Sequence, residues 1–129
     1  MESRTNLRSN ELSRSMAKLS PETAQTIWDL QHQLLEIIDT ARTLELSLFD
    51  AFGETEDTIP VLDELQSIAQ QAIERFSLFS NLQIRVANTQ PPIPPDIIGI
   101  VDRSIQTTQQ KNPALNRSIQ EITQEWRLS

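Results

Sequence analysis

The 129-residue sequence contains no cysteine, no tyrosine, two glycines and a single histidine. Without cysteine the chain has no disulfide, no thiol nucleophile and no thiolate ligand for a structural zinc ion. An ordinary reducing cytoplasm is therefore the simplest location to expect. The scarcity of glycine and the lack of tyrosine argue against a β sandwich rich in turns, so we expect a mainly helical protein.

Long apolar runs are also missing. No stretch approaches the roughly 18 apolar residues of a membrane-spanning helix, and the polar N-terminus lacks the hydrophobic segment of a signal peptide. Hydrophobic residues make up 37% of the sequence, which is too many for a wholly disordered chain. A chain of this length can bury roughly two thirds of its surface around one core, so we expect one domain without a membrane span.

The net charge of −7 is unevenly distributed. Residues 1–19 carry a local charge of +2, because four basic residues outnumber two acidic ones, and the remainder carries −9. An acidic body repels nucleic acid phosphates, so we expect no nucleic acid partner. The basic segment lacks aromatic residues between its cations and is interpreted as a tail, or as a short helix with Leu12, Met16 and Leu19 at helical spacing.

A long first helix is predicted from about residue 21 to 52. Ser20 can cap its N-terminus, Pro21 suits the first helical position, and Gly53 marks its end. Its apolar residues recur at alternating spacings of three and four, the pattern of a packed helix seam. They are Ile27, Leu30, Leu34, Ile37, Ala41, Leu44, Leu48 and Ala51.

A second helix is predicted from Pro60 to about Asn88, where the prolines of residues 91–95 forbid continuation. Its seam is Leu62, Leu65, Ala69, Ala72, Phe76, Phe79, Gln83 and Val86. Folding the chain at residues 53–59 pairs the two seams so that the residue numbers of every pair sum to 113, as for Ala41 with Ala72. The sequence therefore predicts an antiparallel hairpin of about 45 Å.

The segment "PPIPP", residues 91–95, allows two interpretations. It could be a polyproline ligand for an aromatic groove, or a stiff spacer between helices. Such ligands usually carry a basic residue close by, and the nearest one in this chain is Arg85. We therefore favour the spacer, as a linker over residues 89–95.

Two shorter helices are predicted after this linker, within residues 96–129. Asp96 can cap the first, which runs to about Gln110, and Asn112 with Pro113 can start the second. Their apolar faces are Ile97, Ile98, Val101 and Ile105, and then Leu115, Ile119, Ile122 and Trp126.

The predicted fold class is thus all-α, with residues 20–129 forming one domain like a four-helix bundle. The hairpin comprises residues 20–88. The apolar faces of the two C-terminal helices need a surface to pack against. Apolar residues outside the hairpin seam supply that surface: Trp28, Leu35, Ile38, Phe49, Phe52, Val61, Ile68 and Ile73. The bundle could close within one chain or be completed by a second copy, so a homodimer remains open.

His32 is the only candidate for chemistry. On the helical wheel of the first helix it lies on the outward side with Asp29, Glu36 and Asp39, and an exposed histidine beside carboxylates can accept a phosphoryl group. Histidine-kinase hairpins, however, carry an acidic residue directly after the histidine, whereas Gln33 follows here. We favour an ordinary surface histidine and keep the phosphoacceptor as the alternative.

Other chemistry finds little support in the sequence. One imidazole without thiolates cannot build a structural zinc site or a di-iron site with paired histidines. Two glycines cannot form a phosphate-binding loop, and a nucleophilic triad would depend on the same His32. We expect a protein that is not an enzyme and holds neither a cofactor nor a metal ion.

A binding surface is predicted near the hairpin loop, where apolar residues occupy outward positions of the first helix. Two interpretations stay open: the C-terminal helices cover these residues, or they form an apolar patch that binds a basic protein. The candidate partner-binding residues are Leu46, Phe49, Phe52, Glu54, Glu56 and Asp57.

The leading functional hypothesis is an adaptor or regulator that docks a helical face on a larger protein. Its rivals are a phosphotransfer component that uses His32 and a self-associating structural bundle. The abundance of glutamine with only two lysines loosely resembles small helical regulators of bacterial cell division or differentiation, and no motif carries that resemblance.

Overall fold

A computed structural model describes residues 19–128 and contains three helices. They are α1 (Pro21–Phe52), α2 (Ile59–Asn88) and α3 (Pro95–Glu125), and the described residues contain no strand. Each helix is about 45 Å long, from ~1.5 Å per residue. The predicted N-terminal tail or short helix lies outside the described residues, apart from Leu19.

Local signals set the ends of α1 as predicted. The Ser20 hydroxyl accepts a hydrogen bond from the Thr23 backbone N–H at 3.1 Å, and Pro21 is the first helical residue. Gly53 ends the helix with a φ of 71°, and its N–H donates to the Phe49 carbonyl at 2.8 Å. Glycine suits this position because a side chain disfavours a positive φ.

The first two helices form an antiparallel hairpin. The loop joins them at residues 53–58, while hydrogen bonds link Trp28 and Gln31 near the start of α1 to Gln83 near the end of α2. These linked pairs have residue numbers close to the predicted sum of 113. Of the predicted seam, Leu62, Phe76 and Gln83 are half-buried and Ala51 is exposed. The remaining seam residues are buried.

Ala41 and Ala72, which the predicted pairing of the seams places opposite each other, are both fully buried. Small residues in a seam let two helices approach closely, so we expect Ala41→Leu to lower the free energy of unfolding by about 1–3 kcal/mol through overpacking. Urea unfolding followed by circular dichroism measures this change. A variant as stable as the parent would show that the predicted pairing of the two helices is wrong.

The C-terminal region corrects the prediction of two short helices. Residues 95–125 form one continuous helix, with Pro113 in its interior, so the bundle has three helices in the described chain instead of four. Its buried residues follow one stripe at steps of three and four: Ile97, Val101, Ser104, Thr108, Asn112, Leu115, Ile119 and Ile122. Three small polar residues thus join the two predicted apolar faces, and burial of the whole stripe outweighs the roughly 3 kcal/mol cost of an interior proline.

Hydrogen bonds satisfy part of this polar stripe. The Thr108 hydroxyl donates to the Ser104 carbonyl at 2.7 Å, and Asn112 Nδ2 donates to Gln33 Oε1 of α1 at 3.0 Å. Asp96, predicted as the capping residue, instead lies in the first turn, because the helix already begins at Pro95.

Contacts along its length place α3 parallel to α1. Asn112 bonds to Gln33 near the middle, and the ring of Trp126 contacts Phe52 at the loop end. α3 lies on one side of the hairpin and leaves part of the expected apolar surface uncovered. Ile68 is buried, and Ile38, Val61 and Ile73 are half-buried. Trp28, Leu35, Phe49 and Phe52 remain exposed.

Candidate functional site

The candidate site is a ridge of large apolar side chains at the loop end of α1, which we call the loop-end patch. Leu46, Phe49 and Phe52 are exposed to 62%, 52% and 49%. Their spacing of three residues makes each a neighbour of the next on the helix surface. The interpretation that C-terminal helices cover all three is therefore wrong for the described chain.

Trp126, the residue that follows α3, extends the loop-end patch. Its ring meets Phe52 edge to face, with centroids 5.3 Å apart and planes at 65°. Trp126 is half-buried, and its indole N–H is enclosed without a hydrogen-bond partner. Sequence reasoning missed this contact, since it assigned Trp126 to the buried face of a separate helix. Only the continuity of α3 carries this ring to the end of α1.

The charge at this end of the bundle is strongly negative. Residues 50–64 contain six acidic residues and no basic one. Glu54, Glu56 and Asp57 of the loop are all exposed and form an acidic rim beside the apolar residues. Arg127, next to Trp126 in the sequence, adds one positive charge. The field around the loop-end patch therefore attracts cations.

Internal hydrogen bonds hold the loop in one shape. Thr58, only 1% exposed, accepts from the Thr55 N–H at 2.8 Å and donates to the Gly53 carbonyl at 2.8 Å. In return the Thr58 N–H donates to the Thr55 hydroxyl at 3.1 Å. Because the loop is already ordered, it loses less conformational entropy when its carboxylates contact a partner.

His32, the alternative phosphoacceptor, lies on the surface far from the loop-end patch. Its side chain is 74% exposed, and Nε2 lies 3.1 Å from Glu36 Oε1, one helical turn away. In the described chain no group of three histidine, aspartate or glutamate side chains converges on a point that could hold a metal ion. The structure thus places His32 beside one carboxylate on an open surface.

Gln31 is a functional candidate that sequence reasoning missed. It is buried at the α1–α2 contact, where it donates to the Phe76 carbonyl and to the Ser80 hydroxyl and accepts from Gln83 Nε2 at 3.0 Å. One signal was present: Gln83 is a polar residue in an otherwise apolar seam. A buried polar group needs a partner, and the predicted pairing places Gln83 next to Gln31.

Comparisons of the chain with known protein families, with curated proteins and with solved structures find no match. Within residues 19–128, none of the helices combines the length and apolarity needed to cross a membrane. By its fold and its candidate site, the described chain is a three-helix bundle with an exposed apolar ridge and an acidic loop.

Proposed function

We propose that this protein is a non-enzymatic adaptor or regulator in the cytoplasm that binds a larger protein through the loop-end patch. The partner segment carries basic residues and at least one apolar anchor. The proposal assigns the protein no cofactor, no metal ion and no nucleic acid partner. The observation that carries it is the exposed ridge of Leu46, Phe49 and Phe52 beside six carboxylates.

The apolar ridge and the acidic loop contribute to binding in different ways. Aromatic side chains at the centre of an interface provide most of the affinity, because they bury large areas at a small cost in side-chain entropy. Carboxylates at the rim stay hydrated and mainly accelerate the encounter with a positive partner. Phe49 and Phe52 fit the first role, and Glu54 and Glu56 fit the second.

Binding can be measured with a synthetic helical peptide that carries leucine on one face and lysine on the other. We expect Leu46→Glu to weaken binding of this peptide at least tenfold in calorimetry while the melting temperature stays nearly unchanged, because Leu46 is 62% exposed. The added carboxylate would strengthen purely electrostatic binding, so a loss isolates the apolar contribution. Ile98→Glu on α3, also at an exposed apolar residue, is the matched control and should bind like the parent.

Charge reversal tests the rim separately. The double variant Glu54→Lys, Glu56→Lys should slow association with the lysine peptide and flatten its dependence on salt, with a smaller effect on dissociation. Backbone NMR shifts should concentrate at residues 46–57. Shifts centred elsewhere, or equal binding by parent and Leu46→Glu, would refute the proposed site.

A phosphotransfer function of His32 is the second candidate, supported by its exposed imidazole beside Glu36. Incubation with a phosphodonor kinase should then give an acid-labile label that His32→Gln removes. A third candidate, a structural self-associating bundle, would form oligomers larger than a dimer in light scattering as the concentration rises.

A further inference from the structure

A second apolar surface lies on the outer side of the hairpin, away from the loop. On α1 it contains Trp28 and Leu35, which are seven residues apart and therefore lie on one side of the helix. On α2 it contains Ile73 and Ile84, which are eleven residues apart and also share one side. A 2.9 Å hydrogen bond from Trp28 Nε1 to Gln83 Oε1 brings these sides together. We call this surface the outer groove. Its walls are Trp28 and Leu35 of α1 with Ile73 and Ile84 of α2.

The outer groove faces away from α3. Gln31 forms its floor through the hydrogen bonds to α2 described above. Gln33, two residues later and about 200° around the helix, contacts Asn112 of α3. The third helix therefore packs on the opposite side of the hairpin, and the walls of the outer groove stay exposed, to 62% for Trp28 and 58% for Ile84.

Hydrogen bonds fix the most prominent side chain of this surface. Gln31 is anchored to α2 and accepts from Gln83, which in turn accepts from the indole N–H of Trp28. A large exposed ring held in one orientation loses little freedom when a partner covers it. Tryptophan is also enriched at the centres of protein interfaces. The outer groove is thus prepared for a protein partner.

Charge identifies the occupant of the outer groove. Between residues 66 and 84 only Glu74 and Arg75 are charged, and both line the groove between α2 and α3, beside Lys111. The α2 wall of the outer groove is therefore uncharged. On α1, His32 and Asp39 border the groove, one helical turn from Trp28 and Leu35. Glu36 contacts His32 there at 3.1 Å. Two copies of a chain with a net charge of −7 bring fewer like charges together at this groove than at the loop-end patch, which would repel its copy.

The area also suits a second copy. A protein interface of standard size buries about 800 Å² per partner, and homodimer interfaces are roughly 65% apolar. An aromatic side chain carries roughly 150–250 Å², so Trp28 at 62% exposed supplies on the order of 100 Å² alone. Leu35 and Ile84, exposed to 49% and 58%, and half-buried Ile73 and Ile38 add aliphatic area around this ring. Together these side chains supply the apolar centre that such an interface requires.

We propose that the outer groove binds the outer groove of a second copy of this chain. The two hairpins lie antiparallel across a twofold axis near Gln31, because a parallel arrangement would bring the two acidic loops, each with three carboxylates, together. The four hairpin helices then form the inner layers of the dimer, and the two loop-end patches lie at its opposite ends. The dimer does not depend on the function proposed for the loop-end patch.

Sedimentation velocity of the full-length chain tests the proposal from micromolar to millimolar concentration. The parent should move from the 14.7 kDa monomer to a species of twice this mass. Leu35→Glu and Ile84→Glu should each weaken the dimer at least tenfold, and the milder Leu35→Ser should weaken it less. Circular dichroism should show unchanged helicity in all three, because both side chains are exposed to about half or more.

Leu46→Glu is the matched control, as the same substitution at an exposed leucine of the same helix, and it should leave the dimer intact. Loss of the dimer in Leu46→Glu but not in Leu35→Glu would overturn the assignment of this face. A parent chain that stays monomeric at all concentrations would overturn the proposal and give the groove to another occupant, such as residues 1–18 or a different protein.

The orientation of the two copies has its own test. Because the chain has no cysteine, the variant Asp57→Cys has a single thiol, in the loop, to which a spin label can be attached in each copy. The antiparallel dimer predicts a label separation of roughly 60 Å or more, from ~1.5 Å per residue along α1 on both sides of the axis. A separation under roughly 30 Å would show parallel hairpins and contradict the arrangement.

Discussion

A chain that ends at Asn112 should not keep the native fold. The truncation removes the C-terminal part of α3, where Leu115, Ile119 and Ile122 are 7%, 5% and 4% exposed. Full burial of such a side chain stabilises the fold by roughly 1.5–3 kcal/mol. Single domains are stable by only about 5–15 kcal/mol in total. Losing three such residues, and half-buried Trp126 with them, should therefore melt or aggregate the protein at room temperature.

Circular dichroism, differential scanning calorimetry and light scattering together measure the effect of this truncation. A chain that ends at Arg127 is the control, because it keeps every buried residue of α3, and its helicity should match that of the parent. If the chain ending at Asn112 stayed monomeric with a cooperative transition near that of the parent, the end of α3 would be a free partner-binding element instead of part of the core.

The hairpin was predictable because several local signals agree. Ser20, Pro21 and Gly53 set the ends of α1, and Pro60 marks the start of α2 within one residue. The alternating seam then orients both helices, since burial of an apolar stripe is the main source of helix stability in a protein. Helix ends and amphipathic faces depend on nearby residues, so they can be read from the sequence.

The single α3 helix was not predictable from proline rules. Pro113 lacks an N–H and disfavours helical geometry at the residue before it, so local chemistry favours a break. The helix continues because Ser104, Thr108 and Asn112 fill the stripe between its two apolar parts. Small polar residues are invisible to a search for apolar periodicity, although the steps of three and four run through them without interruption.

The candidate site divides in the same way. The exposed outward positions of Leu46 and Phe49 follow from the heptad of α1, which the sequence provides. The contact between Phe52 and Trp126 depends instead on how α3 lies along α1. Likewise, the bond between Trp28 and Gln83 joins residues that are 55 positions apart. Such contacts arise from tertiary packing, which one sequence does not determine.

Replacing Pro113 by alanine should stabilise the protein by about 1–3 kcal/mol. In a continuous helix, the residue at position 113 donates its backbone N–H to the carbonyl of Gln109, and proline cannot make this bond. Alanine supplies the donor and has the best helix propensity, whereas an interior proline costs about 3 kcal/mol. Pro113 is exposed, so its removal opens no cavity. Urea unfolding of the parent and the variant measures the gain, and the dependence of the unfolding free energy on urea concentration should be the same for both.

The sign of this change distinguishes the two descriptions of the C-terminal region. Pro60→Ala is the matched control: Pro60 lies in the first turn of α2, where no N–H donor is needed, so the substitution should change stability little or lower it slightly through the freer unfolded chain. If residues 96–110 and 113–125 were separate helices, Pro113 would likewise occupy a first turn, and Pro113→Ala would behave like Pro60→Ala. If Pro113→Ala stabilises the protein and Pro60→Ala does not, residues 95–125 form one continuous helix. Only in the interior of a helix does the backbone N–H that alanine supplies gain a hydrogen bond.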